Sequence, residues 1–191
     1  MQTFLERVLY QSQTGCQHPS RMSQTNYWDE IEEAFNDVDI YESFEVFSQG
    51  AARYPEWKID LLAVHWTMSE IVNGGLAQYF ANHTAVLAPE AVMGFQRIGR
   101  ADLAEALGKA MSLLGNPYPR ESEPRNERLA LLTGQEPSAS EKFSLIPNWV
   151  AEKTGLATKA TTPFQEWDKL FTSAADAVEQ AMDAYAVVKA G

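Results

Sequence analysis

Asp60, His65, Glu70 and His83 lie close together in the chain and are the types of side chain that could do hydrolytic or metal chemistry. Carboxylates and imidazoles can pass protons, and imidazoles also ligate metals. Their spacing argues against that use. His65 and Glu70 are five apart, a poor same-face spacing on a helix, and neither His-Glu-x-x-His nor Glu-x-x-His occurs. A serine nucleophile elbow, a phosphate-binding loop and a dinucleotide glycine fingerprint are also absent. Cys16 is the only cysteine, which excludes an internal disulfide and a multi-cysteine zinc site within one chain. No metal or cofactor is expected, and the enzyme reading reduces to a polar pocket around Glu70 and Gln78.

That pocket would sit in the most distinctive stretch of the chain, Glu70-Ile71-Val72-Asn73-Gly74-Gly75-Leu76-Ala77-Gln78-Tyr79-Phe80-Ala81-Asn82. Leu61, Val64, Met68, Ile71 and Val72 recur at helical spacing. The pattern breaks at Asn-Gly-Gly and resumes with Leu76, Tyr79 and Phe80. The spacing predicts helix, tight glycine corner, short helix, with the first helix ending near Asn73 or Gly74 in the left-handed conformation and with Gly74 or Gly75 at positive φ. Glu70, Asn73, Gln78, Tyr79 and Asn82 could then form a ligand pocket. The favoured alternative is structural, with Glu70, Asn73, Gly74, Gly75, Gln78, Tyr79 and Asn82 forming a hydrogen-bonded keystone, because helix ends freed by a turn need polar partners.

A second cluster is acidic. Asp29, Glu30, Glu32, Glu33, Asp37, Asp39, Glu42 and Glu45 fall in one window without Lys or Arg. Trp28, Ile31, Ala34, Phe35 and Val38 mark the apolar stripe of a helix there, and Asp29, Glu30, Glu33 and Asp37 lie off it. Positions four apart are about 6 Å apart along a helix axis, so Asp29, Glu33 and Asp37 predict a rigid line of negative charge flanked by Glu30. A duplex carries charge at comparable density, about 3.4 Å per phosphate along each strand. An arginine-rich groove could accept such a line in place of phosphates, although a merely solvated helix face has the same composition.

The corner block resembles the DNA-mimic protein C-terminal domain family of the nineteen-kilodalton type, a bacterial all-helical family with many members of unknown function. The matching pieces are Glu70, Asn73-Gly74-Gly75, Gln78-Tyr79-Phe80 and Asn82, then Ala88-Pro89-Glu90-Ala91 and Phe95-Gln96-Arg97-Ile98-Gly99. A weaker echo runs from Phe164 to Phe171, so the resemblance covers the chain from Trp57 onward. Leu76 stands where the family has an aromatic residue, and His83 where it has a small polar one. The resemblance implies an acidic helical protein that occupies the DNA-binding surface of a transcription regulator.

The elements that must position these residues all read as helices. Tyr41, Phe44 and Phe47 form a short stripe after the acidic one; Gly50 to Pro55 is a break; Trp57 to Val72 leads into the corner. Asn82 to Leu87 reads as loop, after which Pro89 opens a helix carrying Val92, Phe95 and Ile98 inward, ended by Gly99. Leu103, Leu107, Ala110, Met111 and Leu114 form another helix, stopped by Gly115-Asn116-Pro117-Tyr118-Pro119, and a short helix is expected around Pro124 to Thr133. A brief element is expected at Trp149 to Lys153 between the polar stretches Gln135 to Ser144 and Thr154 to Thr162. Last, Phe164, Trp167, Phe171, Ala174, Val178, Ala181, Tyr185 and Val188 predict a helix of about 25 residues, with Thr162 and Gln165 as a capping box. Its alanine-rich stripe would suit packing within the monomer or against a second copy, as a homodimer. No run alternates with the two-residue period of a strand.

The predicted class is therefore all-α: a single compact helical bundle over residues 25–191, behind a loose N-terminal tail of residues 1–24. Met22 offers a second plausible start, so the segment before it is expected to contribute nothing to the fold. With 191 residues, 45% of them apolar, the chain can bury one substantial core. No apolar run approaches the roughly 20 residues needed to span a bilayer, and no secretion signal begins the chain, so a cytoplasmic protein with no membrane partner is expected. The net charge of -11 argues against direct nucleic-acid binding and favours a basic protein partner. The reading is a non-enzymatic acidic binding protein, with mimicry of DNA toward a transcription regulator as its sharpest form. An immunity-like inhibitor of a basic toxin or nuclease would use the same face.

Overall fold

α-Helices dominate because almost every periodic apolar stretch of the chain has the helical period, and the computed structural model shows them packed around one of their number. It describes residues 26–134 and 162–191. The helices are α1 (Tyr27–Asp37), α2 (Phe44–Ala51), α3 (Glu56–Ala81), α4 (Ala88–Arg97), α5 (Ala101–Leu114), α6 (Ser122–Thr133) and α7 (Gln165–Ala190), with a short 3-10 helix at His83–Leu87. No strand occurs among the described residues. The protein is all-α, as the periodicity predicts.

α3 is the central element and touches α1, α4, α6, α7 and the 3-10 helix. Its first half is buried on nearly every side, from Ile59 through Val64 and on to Met68, which is why its sequence is apolar almost all round. α1 lies across α3 and α7 through Tyr27, Ile31 and Ala34, and α5 closes the far side over α4. The buried apolar side chains form one continuous cluster. α7 spends its stripe inside the monomer: Phe171, Ala174, Val178, Met182 and Ala186 are buried, while Val187 and Val188 are exposed. None of the described helices is long and apolar enough to cross a membrane.

Several expectations change in detail. Where Asn82 to Leu87 reads as loop, His83–Leu87 is a 3-10 helix whose Thr84, Ala85, Val86 and Leu87 are all buried in the core. Tyr41 belongs to no helix and is 58% exposed, because the turn before α2 is set by Asp39, whose Oδ1 accepts from the Tyr41 and Glu42 N–H groups. The capping box at Thr162 does not form. α7 begins behind Phe164 without a side-chain cap, and only the Thr162 carbonyl accepts from the Gln165 N–H. The N-terminal tail, the Trp149 to Lys153 element and all but the last residue of its polar flanks lie outside the described residues.

Candidate functional site

The acidic ridge is built on α1, which starts cleanly because the Asn26 side chain accepts from the Asp29 N–H at 3.0 Å. Asp183 of α7 accepts from the Tyr27 N–H at 2.9 Å, and a carboxylate at this end also suits the helix dipole. Asp29, Glu32 and Glu33 are exposed and form no ion pair among the described residues. The other two members of the predicted face are already engaged. Half-buried Glu30 pairs with Lys58 at 3.3 Å, each side chain 22% exposed. Asp37 pairs with Arg53 at 2.9 Å and accepts from the Tyr54 hydroxyl at 2.9 Å. Arg53 also donates to the Asp37 carbonyl, tying down the C-terminal end of α1. The line of charge is therefore open at Asp29 and Glu33, broadened by Glu32, and closed at Asp37 by a guanidinium from outside the window.

Beneath the ridge sits an aromatic layer. Phe35 stacks on Trp66 with ring centroids 5.0 Å apart and planes 8° from parallel, and Trp28 meets Phe35 edge-on at 4.9 Å. His65 is enclosed here. Its Nδ1 lies 3.1 Å from the Tyr27 hydroxyl, and burial pushes the imidazole pKa down to about 4, so the ring is neutral at pH 7. These rings fix α1 on α3 and make the ridge a rigid surface.

The glycine corner is a kink within α3 rather than a break. Gly74 stays in the helix, and Gly75 takes φ 79° and ψ 173°, a glycine-only combination unlike the left-handed cap expected from the sequence. The kink frees the Leu76 N–H, and Asp168 of α7 accepts it through Oδ1 at 2.7 Å. Burial raises the Asp168 pKa, and this hydrogen bond opposes the rise. Glu70 accepts from Asn82 Nδ2 at 2.8 Å and from the Thr84 hydroxyl at 3.2 Å, fastening the turn after α3. Fully buried Tyr79 accepts from Thr67 Oγ1 at 2.9 Å, Gln78 folds back over Gly74, and Asn73 is exposed. Glu70, Tyr79 and the Asn82 side chain thus spend hydrogen bonds on fastening α3 and the turn that follows it.

Arg125 completes the keystone from α6. It is fully buried and donates to the carbonyls of Phe80 at 2.6 Å, Asn82 at 2.7 Å and Arg120 at 2.7 Å. A guanidinium at the C-terminal end of α3 satisfies carbonyls that have no intrahelical partner, in the favourable field of that end. Neither Arg125 nor Asp168 stands out among the candidate site residues in sequence. Asp168 lies in the weaker echo of the family pattern, whereas a lone Arg in an amphipathic helix carries no signal at all.

The hydrolytic quartet is dispersed. Asp60 bonds Arg97, His65 bonds Tyr27, Glu70 bonds Asn82 and Thr84, and His83 is exposed beside the Tyr41 ring. No group of three or more His, Cys, Asp or Glu positioned to hold a metal ion occurs among the described residues.

No curated protein and no solved structure matches this chain. The family model described as DMP19-like protein matches residues 52–190, taking in the corner, Arg125 and Asp168 and leaving α1 and α2 outside. That match takes in most of the chain, which belongs to the family of DMP19-like proteins.

Proposed function

We propose that this is a non-enzymatic binding protein whose α1 ridge takes the place of DNA phosphates on a basic transcription regulator. The observation that carries this reading is the trio Asp29, Glu32 and Glu33: three exposed carboxylates without an ion pair among the described residues, on one helix held rigid by a capped start and an aromatic underside. Family membership supports the mimic role by name, while the ridge itself lies before the matched residues. The corner supports the non-enzymatic side, since its Glu70, Tyr79 and Asn82 are consumed by structural bonds.

The test uses the triple variant Asp29→Asn, Glu32→Gln, Glu33→Gln, which spares the two carboxylates that hold α1 in place. Its helicity should be unchanged, because exposed like charges on one helix slightly repel. Affinity capture from native cells should recover a basic partner with the natural protein, less at high salt as charges beyond about 8 to 10 Å are screened, and far less with the variant. A captured regulator should lose its DNA when this protein is added. A basic nuclease or toxin captured instead would identify the immunity-like inhibitor. A regulator that binds DNA and this protein at once would exclude mimicry.

A further inference from the structure

Between the start of α3 and the start of α4 lies a cleft of about 270 Å³, lined by Glu56, Ile59, Asp60, Pro89, Glu90, Met93 and Arg120. It is remote in chemistry from the corner and from the ridge. Its inner wall is Asp60, only 3% exposed, a degree of burial that carboxylates rarely reach unless paired. Asp60 is paired on one side only: Oδ2 accepts from Arg97, and Oδ1 has no hydrogen bond among the described residues. Asn126 Oδ1 is the fully enclosed side-chain acceptor without a partner among those residues, so Asp60 Oδ1 keeps an opening.

The charges around the cleft do not balance. Arg97 is shared between Asp60 and Glu56, which is 77% exposed, and Arg120 is held by Glu90 in a two-pronged pair at 2.7 and 2.9 Å. Three carboxylates face two guanidiniums, which leaves one negative charge unmatched. Burial raises the Asp60 pKa, and Glu56 and Glu90 add to the rise, so a further cation beside it would be stabilising. The remaining lining is apolar. Met93 is 44% exposed at the mouth, with Ile59 and Pro89 on the walls. The volume is just below the range of drug-sized pockets, which begins at roughly 300 Å³, and so suits one side chain or a small amine.

We propose that this cleft is a subsite for a primary ammonium or a guanidinium on an apolar stem, the cation meeting Asp60 Oδ1 and the stem lying against Met93. The proposal is independent of the ridge. A basic side chain of a partner and a free diamine share this chemistry, and the test separates them.

Backbone amide shifts of the full chain are followed by NMR during titration with N-acetyl-lysine amide, N-acetyl-arginine amide and cadaverine, with N-acetyl-norleucine amide as the uncharged control. Saturable shifts centred on Ile59, Asp60 and Met93 are expected with the cations and not with the control. Preference for the two amino-acid amides would point to a partner's side chain, and preference for cadaverine to a free amine. Either supports the subsite. Met93→Lys, at an exposed position, places a tethered ammonium at the mouth and should weaken binding roughly tenfold or more, as loss of a charge-assisted hydrogen bond does. Glu56→Gln should weaken it less, and the triple ridge variant should leave it unchanged. The proposal is overturned if no cation saturates, if the uncharged control binds equally, or if Met93→Lys folds and binds like the natural protein.

Discussion

Gly75 shows how much one residue's backbone can decide here. At φ 79° and ψ 173° any L side chain is strained, and an added Cβ would stand 3.1 to 3.2 Å from the Asp168 carboxylate that caps Leu76. Gly75→Ala should therefore destabilise the protein by about 1 to 3 kcal/mol in denaturant unfolding. Gly74→Ala should cost much less, because the three atoms nearest an added Cβ are all at the far end of the flexible Gln78 side chain. Equal effects at the two positions would contradict this account. His65 carries the second prediction at this scale. Its folded pKa of about 4 lies below the ordinary 6.5, so the unfolded chain binds the proton first as pH falls. Stability from this group is complete above pH 6.5 and lost as pH falls toward 4. The fall from 6.5 to about 4 sets the loss at about 3 kcal/mol. Buried Asp60 and half-buried Asp168 have raised pKa values and act in the opposite sense over the acid range, so the effect is read as a difference. His65→Gln should lose less stability than the natural protein between pH 6.5 and 4, and parallel curves would sink the argument.

At the scale of elements, α3 is held by two close approaches that local sequence cannot announce. Gly94 of α4 lies so near that a Cβ would come within 2.7 Å of the Asp60 carbonyl oxygen and of Val64 Cγ2. Gly94→Ala should cost about 1 to 3 kcal/mol by forcing α4 outward, readable as a lowered unfolding midpoint with no loss of helicity in the folded baseline. At the other end of α3, Arg125→Met keeps much of the volume but strips the Phe80, Asn82 and Arg120 carbonyls of a donor, so a loss of about 3 kcal/mol or more is expected. Arg125→Lys should not restore it, because an ammonium lacks the planar fork that spans three carbonyls. Helix positions and the Asn-Gly-Gly bend were legible because period and glycine act locally. Arg125, Asp168 and the partners Lys58 and Arg53 were not, since each reaches its contact from a different helix and nothing in local spacing encodes that meeting. The expected line Asp29, Glu33, Asp37 was read from geometry alone, which gives the row of positions but not the guanidinium that caps its end.

For the whole molecule, the family match beginning at residue 52 raises the question of whether α1 and α2 are an appendage or part of one cooperative unit. The packing argues for one unit. Tyr27, Ile31, Ala34, Val38, Ile40 and Phe47 are all buried and belong to the same continuous cluster as the interior of α3 and α7. Each large apolar side chain contributes roughly 1.5 to 3 kcal/mol when buried, so removing residues 1–51 would forfeit on the order of 5 kcal/mol or more, even after allowance for structure in the unfolded chain. Total stabilities of domains are about 5 to 15 kcal/mol, and the deletion would also bare His65, Trp66 and their neighbours on α3. The intact chain is expected to unfold in a single transition whether followed by helix signal or by tryptophan fluorescence. The chain beginning at residue 52 should bind a hydrophobic dye and lose that sharp transition. A truncated chain with the natural midpoint, or an intact chain whose two signals part, would make the ridge a separable module carried on an independently folded family domain, and DNA mimicry would then have to be tested on each piece alone.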